Sequence, residues 1–241
     1  MNYESIIRER VQHLIDTYIS YVLGNREENI VHDFRVCLRR NGVIFKALGD
    51  KKTAKKLKEY MRILGEIRDL EVQDSIFQYE FTEERDIRHI IAFEKERKTR
   101  KLEKQIWKWK IDKIEYHYDE KAFEEQLSLD IEKYERKMKE GLEAYLRDPE
   151  FVHKARIRLK KYRYALELKA LVDTSYDSEL SLLKSMQEIM GHLQDYKVTR
   201  EILKKFDIFE YEEYMDEREG QLHTKLRGIV TIFLQQQQMI D

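Results

Sequence analysis

The chain has 241 residues, 41% hydrophobic and 39% charged, with a formal net charge of −1. That length can bury a substantial core, about 70% of the unfolded surface, and the charge balance excludes a chain that binds nucleic acid through an overall basic surface. One proline and 8 glycines leave few helix breakers, so long helices are expected. The wealth of Glu, Lys and Arg also suits a heat-adapted source.

In chain order, residues 3–23 predict an amphipathic helix with Ile6, Ile7, Val11, Leu14, Ile15, Tyr18 and Val22 on its inner side, ended by Gly24-Asn25. A second helix over about 28–48 turns Phe34, Val36, Cys37, Leu38, Ile44, Phe45 and Leu48 to the core and closes at Gly49-Asp50. A long third helix runs through Leu57, Met61, Leu64, Ile67, Val72 and Phe77, and Thr82 reads as the N-cap of a charged fourth helix to about residue 105. In residues 106–118, Trp107, Trp109 and Ile111 alternate, which fits an extended connector, and a hinge between two halves is expected there. The second half repeats the plan. A helix spans about 119–147, and Asp148-Pro149 forms an N-cap and N1 pair for the next. Asp173-Thr174-Ser175 is a turn, a long helix follows to about 205, and a last helix runs through Tyr211, Tyr214, Leu222, Leu226 and Ile229. Gln235 to Gln238 are expected to fray.

Cys37 is the sole cysteine, so neither a disulfide framework nor a cysteine metal cluster is expected, and its apolar position reads as a buried core thiol. No secretory leader is expected, and no run of about 18 apolar residues offers a membrane span. A reducing cytoplasm is the expected setting.

The chemistry lies in a repeat. Val31-His32-Asp33-Phe34-Arg35-Val36-Cys37-Leu38-Arg39-Arg40 returns as Val152-His153-Lys154-Ala155-Arg156-Ile157-Arg158-Leu159-Lys160-Lys161, at a fixed offset of 121. Counted from each histidine, basic residues stand at +3, +7 and +8. Steps of three and four keep side chains on one helical face. His32, Arg35 and Arg39 therefore line one stripe, which Lys46 at +14 extends; His153, Arg156, Lys160 and Arg163 line its copy. Residues 31–62 hold ten Lys/Arg against three Asp/Glu, and residues 152–169 seven against one, in an otherwise acidic chain. Two concentrated positive segments focus a field on an anion. Guanidinium groups bind phosphate oxygens bidentately and lysines add point charge, while a stripe from +0 to +14 spans ~21 Å. That length suits a linear polyanion better than a single phosphate. Tyr164 divides between core packing and a phenol reaching the anion.

The repeat continues, now at an offset of 126: Lys58, Leu64, Gly65, Asp69 and Val72 match Lys184, Met190, Gly191, Asp195 and Val198. A glycine inside a helix costs about 1 kcal/mol relative to alanine. Taken twice at equivalent places, it predicts close backbone approach by another helix. Asp69 and Asp195 are placed to hold the stripe histidine or an arginine.

These motifs, with His153-x-x-Arg-Ile-x-Leu-Lys-Lys-Tyr-Arg-Tyr-Ala-Leu-Glu and the paired Leu/Met-Gly-x-x-x-Asp elements, resemble the CHAD domain, the conserved histidine α-helical domain, over nearly the whole chain. The resemblance implies an all-α fold of two pseudo-twofold-related four-helix bundles, an internal duplication around a central basic channel. It implies one domain over 1–241, with halves 1–110 and 111–241. It also implies binding of inorganic polyphosphate without catalysis or cofactor. The binders carried over are His32, Arg35, Arg39, Arg40, His153, Arg156, Lys160, Lys161 and Arg163, with Lys58 and Lys184 from the long helices. Gly42 stands where the second copy has Arg163, a departure that makes that end of the channel wider or less charged. Association with polyphosphate granules is a further expectation.

Other readings meet specific objections. Glu94-Lys95-Glu96-Arg97-Lys98 matches the ExExK signature of tunnel triphosphatases, but that signature belongs on a barrel strand and this run reads as helix. Glu150-x-x-His153 and Asp86-x-x-His89 suggest a bundle di-iron site, yet the four-carboxylate set is missing. A histidine phosphotransfer bundle keeps a small residue near its histidine, whereas Val36 and Ile157 stand at +4. Nucleic acid offers the same phosphates, but no stacking platform of aromatics is evident. A scaffold role is the remaining alternative. His13, His89, His117, His192 and His223 lack the repeated basic context, so packing or surface roles are expected.

Overall fold

The computed structural model describes residues 2–25, 27 and 29–238. Among them the chain is all-helical, without strands, and no helix is long and apolar enough to cross a membrane. Eight α-helices are described: α1 (Tyr3–Val22), α2 (Ile30–Ala47), α3 (Lys51–Tyr79), α4 (Arg85–Glu103), α5 (Glu120–Arg147), α6 (Val152–Ala170), α7 (Asp177–Lys205) and α8 (Glu212–Gln238). The chain divides into two compact units, 1–127 and 128–241.

In the first unit the punctuation is local. The Asn2 side chain accepts from the Ser5 amide at 3.0 Å to start α1. Gly24, at φ +97°, follows its end, and Gly49, at φ +79°, turns α2 into α3. The Asp50 carboxylate then caps α3 by accepting from the Thr53 amide at 2.9 Å. Residue 28, the expected start of the second helix, lies outside the described residues. The core takes Ile7 and Leu14 from α1, Phe34 and Leu38 from α2, and Leu64 and Phe77 from α3. Val22, expected on the inner side, is 39% exposed in the last turn of α1. α4 is capped at Glu84, not Thr82. Phe81 is buried, and the Glu84 amide closes a turn on its carbonyl at 3.1 Å, so the helix starts only after that anchor.

Residues 106–113 are not an extended connector. Two short 3-10 turns, 106–109 and 111–113, meet at Lys110, which adopts left-handed φ +53°. Ile106, Trp109 and Ile111 are buried while Trp107 is 61% exposed. Trp109 stacks on Tyr60 with centroids 4.2 Å apart and planes 7° apart, and the Tyr60 hydroxyl donates to the Trp109 carbonyl at 3.0 Å. An aromatic partner on α3, with the whole of α4 between them in sequence, decides this local structure.

In the second unit α5, α6, α7 and α8 share one core, built on Leu142, Tyr145, Leu159, Met186, Met190 and Phe233 among others. The Asp148 carboxylate accepts from the Glu150 amide at 3.0 Å, and a 3-10 turn from Pro149 leads into α6, as the Asp-Pro pair predicts. Gly141 of α5 is where two helices meet closely. A β-carbon there would stand 2.9 Å from Arg158 Cδ and 3.4 Å from Ala155 Cα on α6. α8 runs helical through Gln238, so the glutamines expected to fray continue the helix beyond the buried Phe233.

Candidate functional site

α2 buries Phe34, Leu38 and Phe45 on one side. The same 3.6-residue period brings His32, Arg35, Arg39 and Lys46 together beside that apolar stripe. Arg40 is exposed, as is much of the His32 surface although its ring is partly screened by neighbours; Arg35, Arg39 and Lys46 are half-buried. Arg35 lays its guanidinium on α3, with Nη2 3.5 Å from where a β-carbon of Gly65 would stand. One turn further along the same face of α3 is Arg68. Partial burial, then the positive charge of Arg68, hold the His32 imidazole below its ordinary protonation range; Arg35 and Arg39 add to this and Asp33 opposes it. A cluster of cations thus resists one more proton, and an anion placed there would relieve that repulsion.

The second unit repeats the arrangement. Arg156 Nη2 lies 3.6 Å from the β-carbon position of Gly191 on α7, and the Nε atoms of Arg35 and Arg156 are both buried. His153 Nδ1 is 2.6 Å from Gln194 Oε1. With the amide oxygen as acceptor, Nδ1 carries the proton. The paired glycines do not meet the backbone of another helix as expected: beside each β-carbon position, at ordinary van der Waals distance, lies the guanidinium of the stripe arginine. The histidine partner is Gln194, the residue before Asp195. Register explains it. Position 194 lies three residues beyond Gly191, one turn on along the helix face that meets the stripe.

The two copies part company at their far ends. Arg163 is 9% exposed. Its Nε donates to Gln187 Oε1 at 3.0 Å, its guanidinium pairs with Glu167, and it stacks 4.2 Å over the Tyr164 ring. Glu167 occupies the +14 position that Lys46 holds in the first copy, so the Arg163 charge is compensated inside the unit. Tyr164, 7% exposed, packs there with it. In the first copy Gly42 has open space around its β-carbon position, on the same stripe as Arg39 and Lys46. Lys160 is half-buried, and Lys161, Lys58 and Lys184 are exposed.

The competing motifs resolve into helix surface. Glu94 pairs with Arg97 at 2.6 Å, Lys95 with Asp74 at 3.3 Å and Glu96 with Arg100 at 2.5 Å, so the ExExK run is a set of ion pairs on α4 and not a barrel strand. Among the described residues no three His, Cys, Asp or Glu side chains form a metal-holding group. Cys37 is buried, its sulfur 3.8 Å from Thr17 Oγ1, and burial pushes its thiol above the ordinary range. Arg68 and Gln194 are the residues beside the stripe that sequence reasoning passed over. Their signal was present: each directly precedes a repeat aspartate.

Two comparisons with known proteins bear on this geometry. The CHAD domain family model matches residues 5–204. Comparison with curated proteins returns no match.

Proposed function

The chain belongs to the CHAD domain family, and on that premise we propose that it binds inorganic polyphosphate without catalysing a reaction on it. The observation that carries this reading is the duplicated seat, an arginine guanidinium laid on a helix glycine with a histidine one turn away, present in each unit. A group so held loses little further freedom when it meets a phosphate oxygen, and a guanidinium matches that oxygen's geometry. Polyphosphate is a repeating anion with little else to recognise, so spaced cations suffice for it. His32, Arg35, Arg39, Arg40 and Lys46 form one row, His153, Arg156, Lys160 and Lys161 the other, with Lys58 and Lys184 beside them. The family pattern supports a further part of the proposal: two duplicated four-helix halves, related by a pseudo-twofold, whose rows line one basic channel.

Calorimetric titration with phosphate, triphosphate and long-chain polyphosphate tests this reading. Affinity should climb with chain length and fall with salt. Equal affinity for all three would sink it. Excess polyphosphate should also displace any bound DNA or RNA; failure to do so would favour a nucleic-acid role.

A further inference from the structure

The facing pairs establish an antiparallel register within each unit. In the first unit Arg35 meets Gly65 on α3, and the internal repeat places Arg68 relative to His32 as Gln194 stands to His153. Moving along α6 from His153 to Arg156 moves back along α7 from Gln194 to Gly191. Arg68 and Gln194 therefore hold equivalent places, and the internal repeat aligns the same two positions at its offset of 126. Gln194 is within hydrogen-bond distance of the stripe histidine, so this place borders the row of cations. In the first unit it holds a cation, half-buried and paired with Glu71 at 3.1 Å. The position equivalent to Glu71 is Lys197.

We propose that Arg68 is a further polyphosphate ligand, belonging to the first row alone, and that the two rows hold the anion unequally because Gln194 replaces it in the second. The inference rests on the binding role proposed above and sharpens it. Two further contrasts point the same way. Lys46 stands in the first row where Glu167 stands in the second, and Arg163 is committed to Glu167 and Gln187. Arg68 differs from Arg163 in its surroundings. It keeps 27% of its side chain in solvent, and its partner is a carboxylate three residues on in the same helix. Such a partly exposed pair is weak, and a phosphate, which also takes bidentate guanidinium contacts, can compete for the guanidinium. After desolvation, the charge of Arg68 is the next contribution holding the His32 imidazole below its ordinary range.

The test is titration of the full chain with long-chain polyphosphate at several salt concentrations. Arg68→Gln, which installs the residue of the second row, should bind roughly tenfold more weakly, the loss of one charge-assisted contact, and with a shallower salt dependence. Gln194→Arg should bind more tightly. Glu71→Gln breaks the same ion pair but leaves the cation, and should bind at least as tightly as the parent chain. If Arg68→Gln binds like the parent, or if Glu71→Gln loses affinity as Arg68→Gln does, the inference is overturned. Failure of the underlying binding role would look different: Arg35→Gln and Arg156→Gln would then leave the titration unchanged as well.

Discussion

The guanidinium of Arg35 rests on Gly65, with Nη2 3.5 Å from the place of the missing β-carbon. That distance is ordinary van der Waals contact, and the neighbour met there is the end of a flexible side chain. Gly65→Ala should therefore be accommodated and, by restoring helix propensity, stabilise the chain by up to about 1 kcal/mol, with polyphosphate affinity within about twofold of the parent. Gly65→Leu should push the guanidinium off its seat and weaken binding roughly tenfold, the worth of one charge-assisted contact. Thermal melts and titration of the two variants check this; a Gly65→Leu variant that folds and binds normally would show that the seat is incidental.

Removing the rows should separate binding from folding. A variant with Arg35, Arg39, Arg156 and Lys160 all changed to glutamine should not bind polyphosphate. The parent chain should gain about 2.7 kcal/mol of stability when the anion stands at a hundred times its dissociation constant, and the variant nothing. In low-salt, anion-free buffer the variant should melt above the parent, because like charges set side by side repel least when removed. Melting curves with and without polyphosphate give both answers.

His32 supplies a pH dependence. Its folded-state protonation is depressed, so the folded state binds fewer protons than the unfolded one through the imidazole range, near about 6.5. Stability is fully present above that range and declines as pH falls through it. His32→Asn should lose less melting temperature than the parent between pH 7.5 and 5.5. Saturating polyphosphate should narrow the difference, since a bound anion favours the imidazolium. Equal slopes for parent and variant would contradict the depressed protonation of His32.

The second unit carries a dependence of opposite sign. The Tyr162 hydroxyl donates to Glu179 Oε1 at 2.8 Å. Burial raises the Glu179 carboxyl above its ordinary range against the help of that hydrogen bond, and Glu135 adds to the rise. The folded state then holds its proton more tightly, so this group's stabilising effect is complete at low pH and disappears as pH rises through the raised value. Glu179→Gln keeps an acceptor for Tyr162 and removes the charge. It should melt higher than the parent at pH 8 by roughly 2–4 °C, the change about 1 kcal/mol makes in a chain this long, and show no advantage near pH 4.

Much of this protein was legible without coordinates. Apolar residues at steps of three and four, closed by Gly24, Gly49 and the Asp148-Pro149 pair, placed the helices within a few residues, because periodicity and capping are local properties of the chain. The duplicated stripe was readable for the same reason: His32, Arg35 and Arg39 share a face wherever the helix packs. The turns of residues 106–113 were not, since Trp109 folds inward to stack on Tyr60, a partner nearly fifty residues away.

What a stripe cation does was likewise decided by its neighbours across the helix pair. Arg35 and Arg163 look alike as members of a row. One lies on a glycine beside a cluster of positive charge; the other is drawn into Glu167 and Gln187 and its charge is spent inside the unit. Sequence determined which side chains share a face, because helical geometry is intrinsic to the backbone. Tertiary structure decided which residues each of them meets across the helix pair, because those neighbours lie on α3 and α7 and only packing brings them within reach.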